Sequence, residues 1–299
     1  MAALPTIVAA NAAWPPSYVP VGIFVGGTSG IGQGIAEAFA RHTHGRAHIV
    51  LIGRNEAAAR AILARLPAPS SGEAYTREFI PCDLALVANA KRTSAQLAAR
   101  FPRVNIVFLT AGAISLKGFD PTSEKIDRQM ASLYYSKWAF IDGLLPSLRA
   151  AKQAGEDARV AAVHTAGRDI PVDLADLGLE GAMGRGMRGA RSLVGQLASY
   201  QDLMAKAFGE RDPTITFTHT FPGSVDTPVL RASPSLALRI AHYVRLVLRI
   251  RGEMSIDECG ERQLWGLLQV RVCVFSALSQ LLSFARVYHA SFAFPFFLS

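Results

Sequence analysis

A glycine run early in the chain carries the first recognisable chemistry. Gly26-Gly27-Thr28-Ser29-Gly30-Ile31-Gly32 follows a short apolar run and opens a stretch with helical spacing. Glycines at 26, 30 and 32 let the backbone turn sharply, approach a pyrophosphate closely and pack helix on strand. N–H groups at the helix start then face the anion. A glycine-rich turn without a ligand is the plainer alternative, but the order strand, glycines, helix favours a nucleotide. Two further clusters hold reactive side chains. His164-Thr165 closes a β-branched run, and Tyr134-Tyr135-Ser136-Lys137 lies inside a helical stretch. His164 offers an acid, although a buried histidine with satisfied partners is the preferred reading.

The elements that must position these residues alternate along the chain. Short apolar, β-branched runs at 21–25, 47–52, 75–80, 104–109, 160–165 and 214–221 predict buried parallel strands. Helical spacing is found at 31–42, 56–66, 87–100, 123–151 (with a break expected near Pro146) and 191–208. Trp14-Pro15-Pro16 predicts an extended lead-in, because a residue before proline is biased out of helix. The βαβ rhythm predicts an α/β fold, a doubly wound parallel sheet with its ligand at the carboxyl ends of the strands.

In this order the motifs resemble those of the short-chain dehydrogenase/reductase family, over residues 20–230. Its TGxxxGxG loop is matched with Val25 in place of the threonine. Cys82-Asp83-Leu84 stands where the family's Asp holds adenine, and Leu109-Thr110-Ala111-Gly112 stands where the family has NNAG. Leu144-Leu145-Pro146 closes the fourth helix, and Phe221-Pro222-Gly223-Ser224-Val225-Asp226-Thr227 matches the stretch over the nicotinamide. The wording around these motifs is similar to that of filamentous-fungal members associated with secondary metabolism. The resemblance implies a Rossmann fold and a dinucleotide held by Gly26, Thr28, Ser29, Gly30, Ile31, Gly32, Asp83, Thr110, Gly112, Val225 and Thr227. The strand at 47–52 leads into Gly53-Arg54, without the carboxylate that would bind a ribose 2′-hydroxyl. Arg54 can pair with a 2′-phosphate, which favours NADP; an exposed arginine at a helix start is the alternative.

In the family a tyrosine handles the proton, a lysine four residues later lowers its pKa, a serine positions the carbonyl and an asparagine serves a proton-relay water. No Tyr-x-x-x-Lys occurs in this chain. By position the resemblance assigns Tyr200 as proton donor and Thr165 as the carbonyl's hydroxyl partner, with Met204 in the lysine's place and Leu133 in the asparagine's. Lys206 is rotated about 200° around the helix from that place. Lys137 lies one turn beyond Leu133, so its amine would point toward the site; a solvated lysine is the favoured alternative. The long segment between Thr165 and Tyr200 reads either as a pocket wall or as a surface insertion.

The chain has 299 residues, half of them hydrophobic, and a formal net charge of +8. That composition excludes intrinsic disorder. Cys82, Cys259 and Cys273 form neither a disulfide scaffold nor a zinc pattern, so no metal is expected and a reducing, cytoplasmic setting is inferred. Beyond residue 230 stand eight arginines and four acids, so the last quarter carries half of the charge excess. There the arginines are interleaved with Leu, Val and Ile rather than with polar readers, which argues against nucleic acid. Residues 236–250 predict an amphipathic helix, a lid over the substrate in family terms or else a contact with an anionic membrane surface. The charge-free stretch 272–285 is short of the roughly 20 residues that span a bilayer. The apolar end reads as a helix packed on the sheet or on a second subunit of a homo-oligomer, as a peripheral membrane contact, or as sequence altered by an unremoved intron.

The expected organisation is therefore an N-terminal extension at 1–20, a Rossmann dinucleotide-binding and catalytic domain at 21–230, a lid helix at 231–262 and an apolar tail at 263–299. The expected activity is NADP-dependent interconversion of a carbonyl and an alcohol on a bulky apolar small molecule. A redox-silent member performing isomerisation or cyclisation, or a non-catalytic sensor, is the alternative motivated by the absent lysine and asparagine.

Overall fold

The computed structural model describes residues 2–14, 16–69, 75–112, 115, 118–183, 185–227 and 254–269. The lid helix expected at 236–250 and the tail beyond 269 lie outside these residues. Six strands form one sheet: β1 (Val21–Val25), β2 (His48–Gly53), β3 (Arg77–Pro81), β4 (Ile106–Leu109), β5 (Arg159–Val163) and β6 (Thr216–Thr220). Their order is β3-β2-β1-β4-β5-β6 and every pairing is parallel. The chain winds outward from β1 to one edge, then returns to β4 and winds to the other. That reversal leaves a crevice beside the carboxyl ends of β1 and β4, where ligands of such sheets bind.

Alternation along each strand sends side chains to two separate cores. Ile23 and Val25 of β1, Val107 and Leu109 of β4 and Phe217 of β6 enter one core with Leu144 and Phe208. Phe24, Leu51 and Phe108 enter the other with Ile35, Phe39 and Leu264. The first core is closed by α4 (Val87–Arg100), α6 (Ser136–Gln153) and α7 (Gly186–Arg211). The second is closed by α2 (Gly30–His42), α3 (Glu56–Arg65) and α8 (Ile256–Gln269). Because both faces are covered, the central strands are uniformly apolar, as their sequences require.

Three elements differ from the sequence-based expectation. The lead-in contains a helix, α1 (Leu4–Ala12), whose Ile7 is fully buried. The stretch expected as one helix at 123–151 begins only at α5 (Arg128–Met130), capped by Asp127, whose Oδ1 accepts from Gln129 N at 2.8 Å. It continues as a π turn (Ala131–Tyr135) into α6, which runs through Pro146 without ending. Finally, residues 256–262, expected in the lid, begin α8, which packs on α2 and α1. Among the described residues no helix is long and apolar enough to cross a membrane.

The contact of α8 with α2 rests on two glycines. A Cβ at Gly34 would strike the Ile256 backbone, and one at Gly260 would strike the Gly34 backbone. A buried carboxylate completes the joint. Glu261 accepts from Asn11 Nδ2 at 2.7 Å and from Arg41 at 2.9 Å, and its Oε2 lies 2.8 Å from His42 Nε2. Burial alone would push this carboxyl up, but bonds from Asn11, His42 and Arg41 hold it below the usual range. Gly260→Ala is therefore expected to cost about 3 kcal/mol, since backbone cannot move aside like a side chain. Gly266→Ala, on the same helix with nothing within 4 Å of the added methyl, should instead stabilise by about 0.5–1 kcal/mol. Urea unfolding followed by circular dichroism measures both.

Candidate functional site

The turn from β1 into α2 is held against the end of β4. Thr110 N and Oγ1 donate to Val25 O at 2.8 and 3.1 Å, and Ala111 N donates to the same carbonyl at 3.1 Å. Gly26 has φ +91°, and a Cβ there would meet Ala111 N at 2.6 Å; one on Gly32 would strike Gly26 O and Thr110 Oγ1. Gly30, with φ +55°, starts α2 against Thr227, whose Cγ2 lies 3.3 Å from a Cβ built there. The N-cap Ser29 makes no side-chain cap, and N–H groups of the first helical turn have no preceding carbonyl to bond. This cradle of bare backbone fits a pyrophosphate. It is closed by the strand-like bridge of Val225 with Met254, in which Asp226 N donates to Met254 O at 3.0 Å.

The neighbouring strand ends set the other half of the crevice. Thr28 fills the space above Gly53, where any side chain would meet its Oγ1 at 2.9 Å. Arg54 is exposed and its guanidinium has no ion pair or hydrogen bond among the described residues. Asp83 is half-buried beyond β3 and its Oδ1 accepts from Ala85 N at 3.1 Å. Gly112, with φ +132°, packs directly under Leu133, so the residue in the asparagine's place covers this turn with an apolar side chain.

Beyond β5 and β6 the structure gathers residues that the sequence left apart. Thr165 Oγ1 lies 2.8 Å from His164 Nδ1. Alternation puts His164 and His219 on the face of the sheet that α6 and α7 cover, with ring centroids 6.3 Å apart. His219 Nδ1 lies 2.8 Å from Asp202 Oδ1. Lys137, only 2% exposed, reaches in from α6 and donates to Val163 O at 3.2 Å. It is not the solvated lysine favoured from sequence. Burial lowers its pKa from 10.5 to about 7. Burial, then Lys137 and His219, lower that of His164 to about 2, so its ring is neutral. Burial also holds His219 below the usual histidine value, against the opposing pull of Asp202. His219 and Asp202 were not singled out from sequence. The available signal was the polar run Thr216–Thr220 inside a buried strand, with His219 sharing the face of Phe217.

Tyr200 takes a different place. It sits on α7 in a small core with Leu133, Leu179, Met183 and Leu197, 5.4 Å from the ring of Tyr134. Its hydroxyl donates to Leu177 O at 3.1 Å. Burial, followed by Tyr135, Asp176, Tyr134 and Asp173, pushes its pKa up, away from easy proton release. Met204, four residues on, is buried in the larger core. The segment after Thr165 is tied to α7 rather than looping free: Ser199 Oγ donates to Ile170 O at 2.5 Å and Asp173 N to Gln196 Oε1 at 2.9 Å.

Known proteins share this architecture. The model of the short chain dehydrogenase family matches residues 21–163. An oxidoreductase of Emericella nidulans is 33% identical over 270 residues, covering 89% of this chain and 77% of that protein. An oxidoreductase of Emericella variicolor is 29% identical over 210 residues, covering 70% of this chain and 59% of the relative. Among solved structures, an alcohol dehydrogenase from Thermococcus sibiricus complexed with 5-hydroxy-NADP superposes with a TM-score of 0.58 at 17% identity. That match covers 86% of this chain and 98% of the other.

The buried amine makes stability depend on pH. Lys137 binds its proton below about pH 7 when folded, against 10.5 for the ordinary group. Between these values the unfolded chain holds the extra proton, so stability rises with pH through that window and the burial cost is fully present below it. Relative to Lys137→Met, the wild type should gain about 1.4 kcal/mol per pH unit from pH 7 to 10. Equilibrium unfolding of both proteins across that range tests the slope; parallel curves would place the amine in water.

Proposed function

Because the chain belongs to the short-chain dehydrogenase family of oxidoreductases, we propose that it is an NADP-dependent enzyme interconverting a carbonyl and an alcohol. When bound, the nicotinamide supplies or accepts the hydride. The observation that carries the NADP assignment is the end of β2, where Thr28 fills the space above Gly53 and the next residue, Arg54, is exposed with no ion pair among the described residues. No carboxylate side chain fits at position 53 without displacing Thr28, and a 2′-phosphate would meet a cation there.

In this assignment Gly26, Gly30, Ile31 and Gly32 hold the pyrophosphate, and Ser29 and Thr28 line it. Asp83 and Arg54 flank the adenosine end, and Thr110, Gly112, Val225 and Thr227 flank the nicotinamide end. Thr165 hydrogen-bonds the substrate's carbonyl oxygen and orients it. Tyr200 reaches that oxygen only after its hydroxyl gives up Leu177 O. The exposed Ile170, Leu174 and Leu177 border this region and suit a bulky apolar substrate. We place that substrate in fungal secondary metabolism, a reading that rests on the motif resemblance, the Emericella oxidoreductases supporting its fungal part, with the enzyme acting in the cytoplasm.

A second reading is a redox-silent member that binds the nucleotide and catalyses an isomerisation or cyclisation. The burial of Met204 in the lysine's place and the engagement of the Tyr200 hydroxyl favour it. Fluorescence titration with NADPH, followed by NADPH consumption over a ketone panel, separates the two. The proposed function expects binding and consumption. Arg54→Ala should weaken NADPH binding about tenfold, the loss of one charge-assisted pair, and leave NADH binding unchanged. Equal losses for both nucleotides would remove Arg54 from the 2′-phosphate site.

A further inference from the structure

Behind Thr165 lies a set of buried polar groups that the family pattern does not include. Asp202 only accepts, so the hydrogen on His219 Nδ1 is fixed by the 2.8 Å contact and Nε2 carries the lone pair. That Nε2 is buried and has no partner among the described residues. The Nε2 of His164 is likewise buried and unpartnered, while its Nδ1 touches the Thr165 hydroxyl. The Lys137 amine donates to Val163 O, the carbonyl just before His164. After burial, its charge also lowers the pKa of both imidazoles. A protonated amine carries three hydrogens; one goes to Val163 O and neither orphaned Nε2 is within hydrogen-bond distance of it, so an exchange between them needs a bridging water. Unpaired buried polar groups are costly, and two beside one amine mark a site built to exchange a proton or hold a bridging water.

We propose that Lys137, His164 and His219, anchored by Asp202, form a buried proton relay that opens on the substrate through the Thr165 hydroxyl. This rests on the carbonyl chemistry assigned above. In reduction, the carbonyl carbon gains the hydride and its oxygen takes the proton from Thr165 Oγ. His164 Nδ1–H returns a proton to that Oγ, and the His164 ring regains one at Nε2 from the Lys137 ammonium through one bridging water. The ring, now carrying its hydrogen on Nε2, returns to the Nδ1–H form by exchange with water before the next turnover. The amine is left neutral and is reprotonated from solvent. Alcohol oxidation runs the same transfers backwards. No group beyond the nucleotide is consumed. A donor whose pKa lies near 7 suits this work. The titratable groups coupled to the amine are His164 on β5 and His219 on β6, and Asp202 on α7 and Asp169 beyond β5 act in turn on His219.

The test uses the full chain. In ¹⁵N spectra of the histidine rings, the signals of His164 and His219 should move together with one midpoint near neutral pH, and that step should vanish in Lys137→Met. Rings that stay flat in the wild type would overturn the relay. His164→Gln keeps a hydrogen-bonding partner for Thr165 but cannot pass a proton. It should lower kcat at least tenfold, a minimum for lost acid catalysis, and remove the inflection near pH 7 from the kcat profile. NADPH binding should stay within about twofold of wild type. A His164→Gln enzyme with full kcat, beside a Tyr200→Phe enzyme that has lost it, would return the proton to Tyr200 and overturn the proposal. Failure of the wild type to bind NADPH would instead defeat the cofactor assignment, and the ring titration would still decide the relay.

Discussion

Coverage of the sheet on both faces is the constraint from which the other features follow. A parallel sheet buried between two helical layers has no water along its strands, so polar side chains can stand only at strand ends or in paired clusters. The strand interiors obey this: Ile23, Phe24, Val107 and Phe108 are all fully buried and apolar. The carboxyl ends carry the chemistry instead. Gly26, Thr110, Thr165 and Phe221 each stand just beyond a strand, and together they line one edge of the sheet.

Two clusters test the rule from inside. Around Glu261, a carboxylate meets a histidine, an arginine and an asparagine, and both carboxylate oxygens are bonded, while Asn11 Oδ1 is buried without a partner among the described residues. Around Lys137 the pairing is incomplete, with one carbonyl for the amine and an open ring nitrogen on each of two histidines. The first cluster is a fastening, while the second retains capacity to bind or move protons. The difference lies in which groups are left open: an amide oxygen in the first, and two ring nitrogens that can take up a proton in the second.

Much of the architecture was legible because it is written in local patterns. Short continuous apolar, β-branched runs located all six strands to within two residues at each end, and helical spacing matched α4 at both ends. The glycines of the phosphate loop were legible for the same reason, since positive φ at Gly26 and Gly30 is a property of the residue itself. Where local signals were weak the expectation failed. α1 has no side-chain cap and little amphipathic pattern; it is held in place by packing that buries Ile7 and by Asn11, whose partner Glu261 lies 250 residues away in α8. The π turn before α6 likewise has no signature in the spacing of Ala131–Tyr135.

The sequence alone determined the fold class, the place of the glycine turn between β1 and α2 and the absence of a carboxylate at the end of β2. Each of these follows from residue type and short-range spacing. It could not determine that Lys137 turns inward to meet Val163, that His219 pairs with Asp202, or that the Tyr200 hydroxyl is committed to Leu177. Those contacts join residues 17 to 26 positions apart, across different elements, and so depend on how helices settle on the sheet. Tertiary packing alone sets which buried donor meets which acceptor, and at this site that choice decides the protonation chemistry.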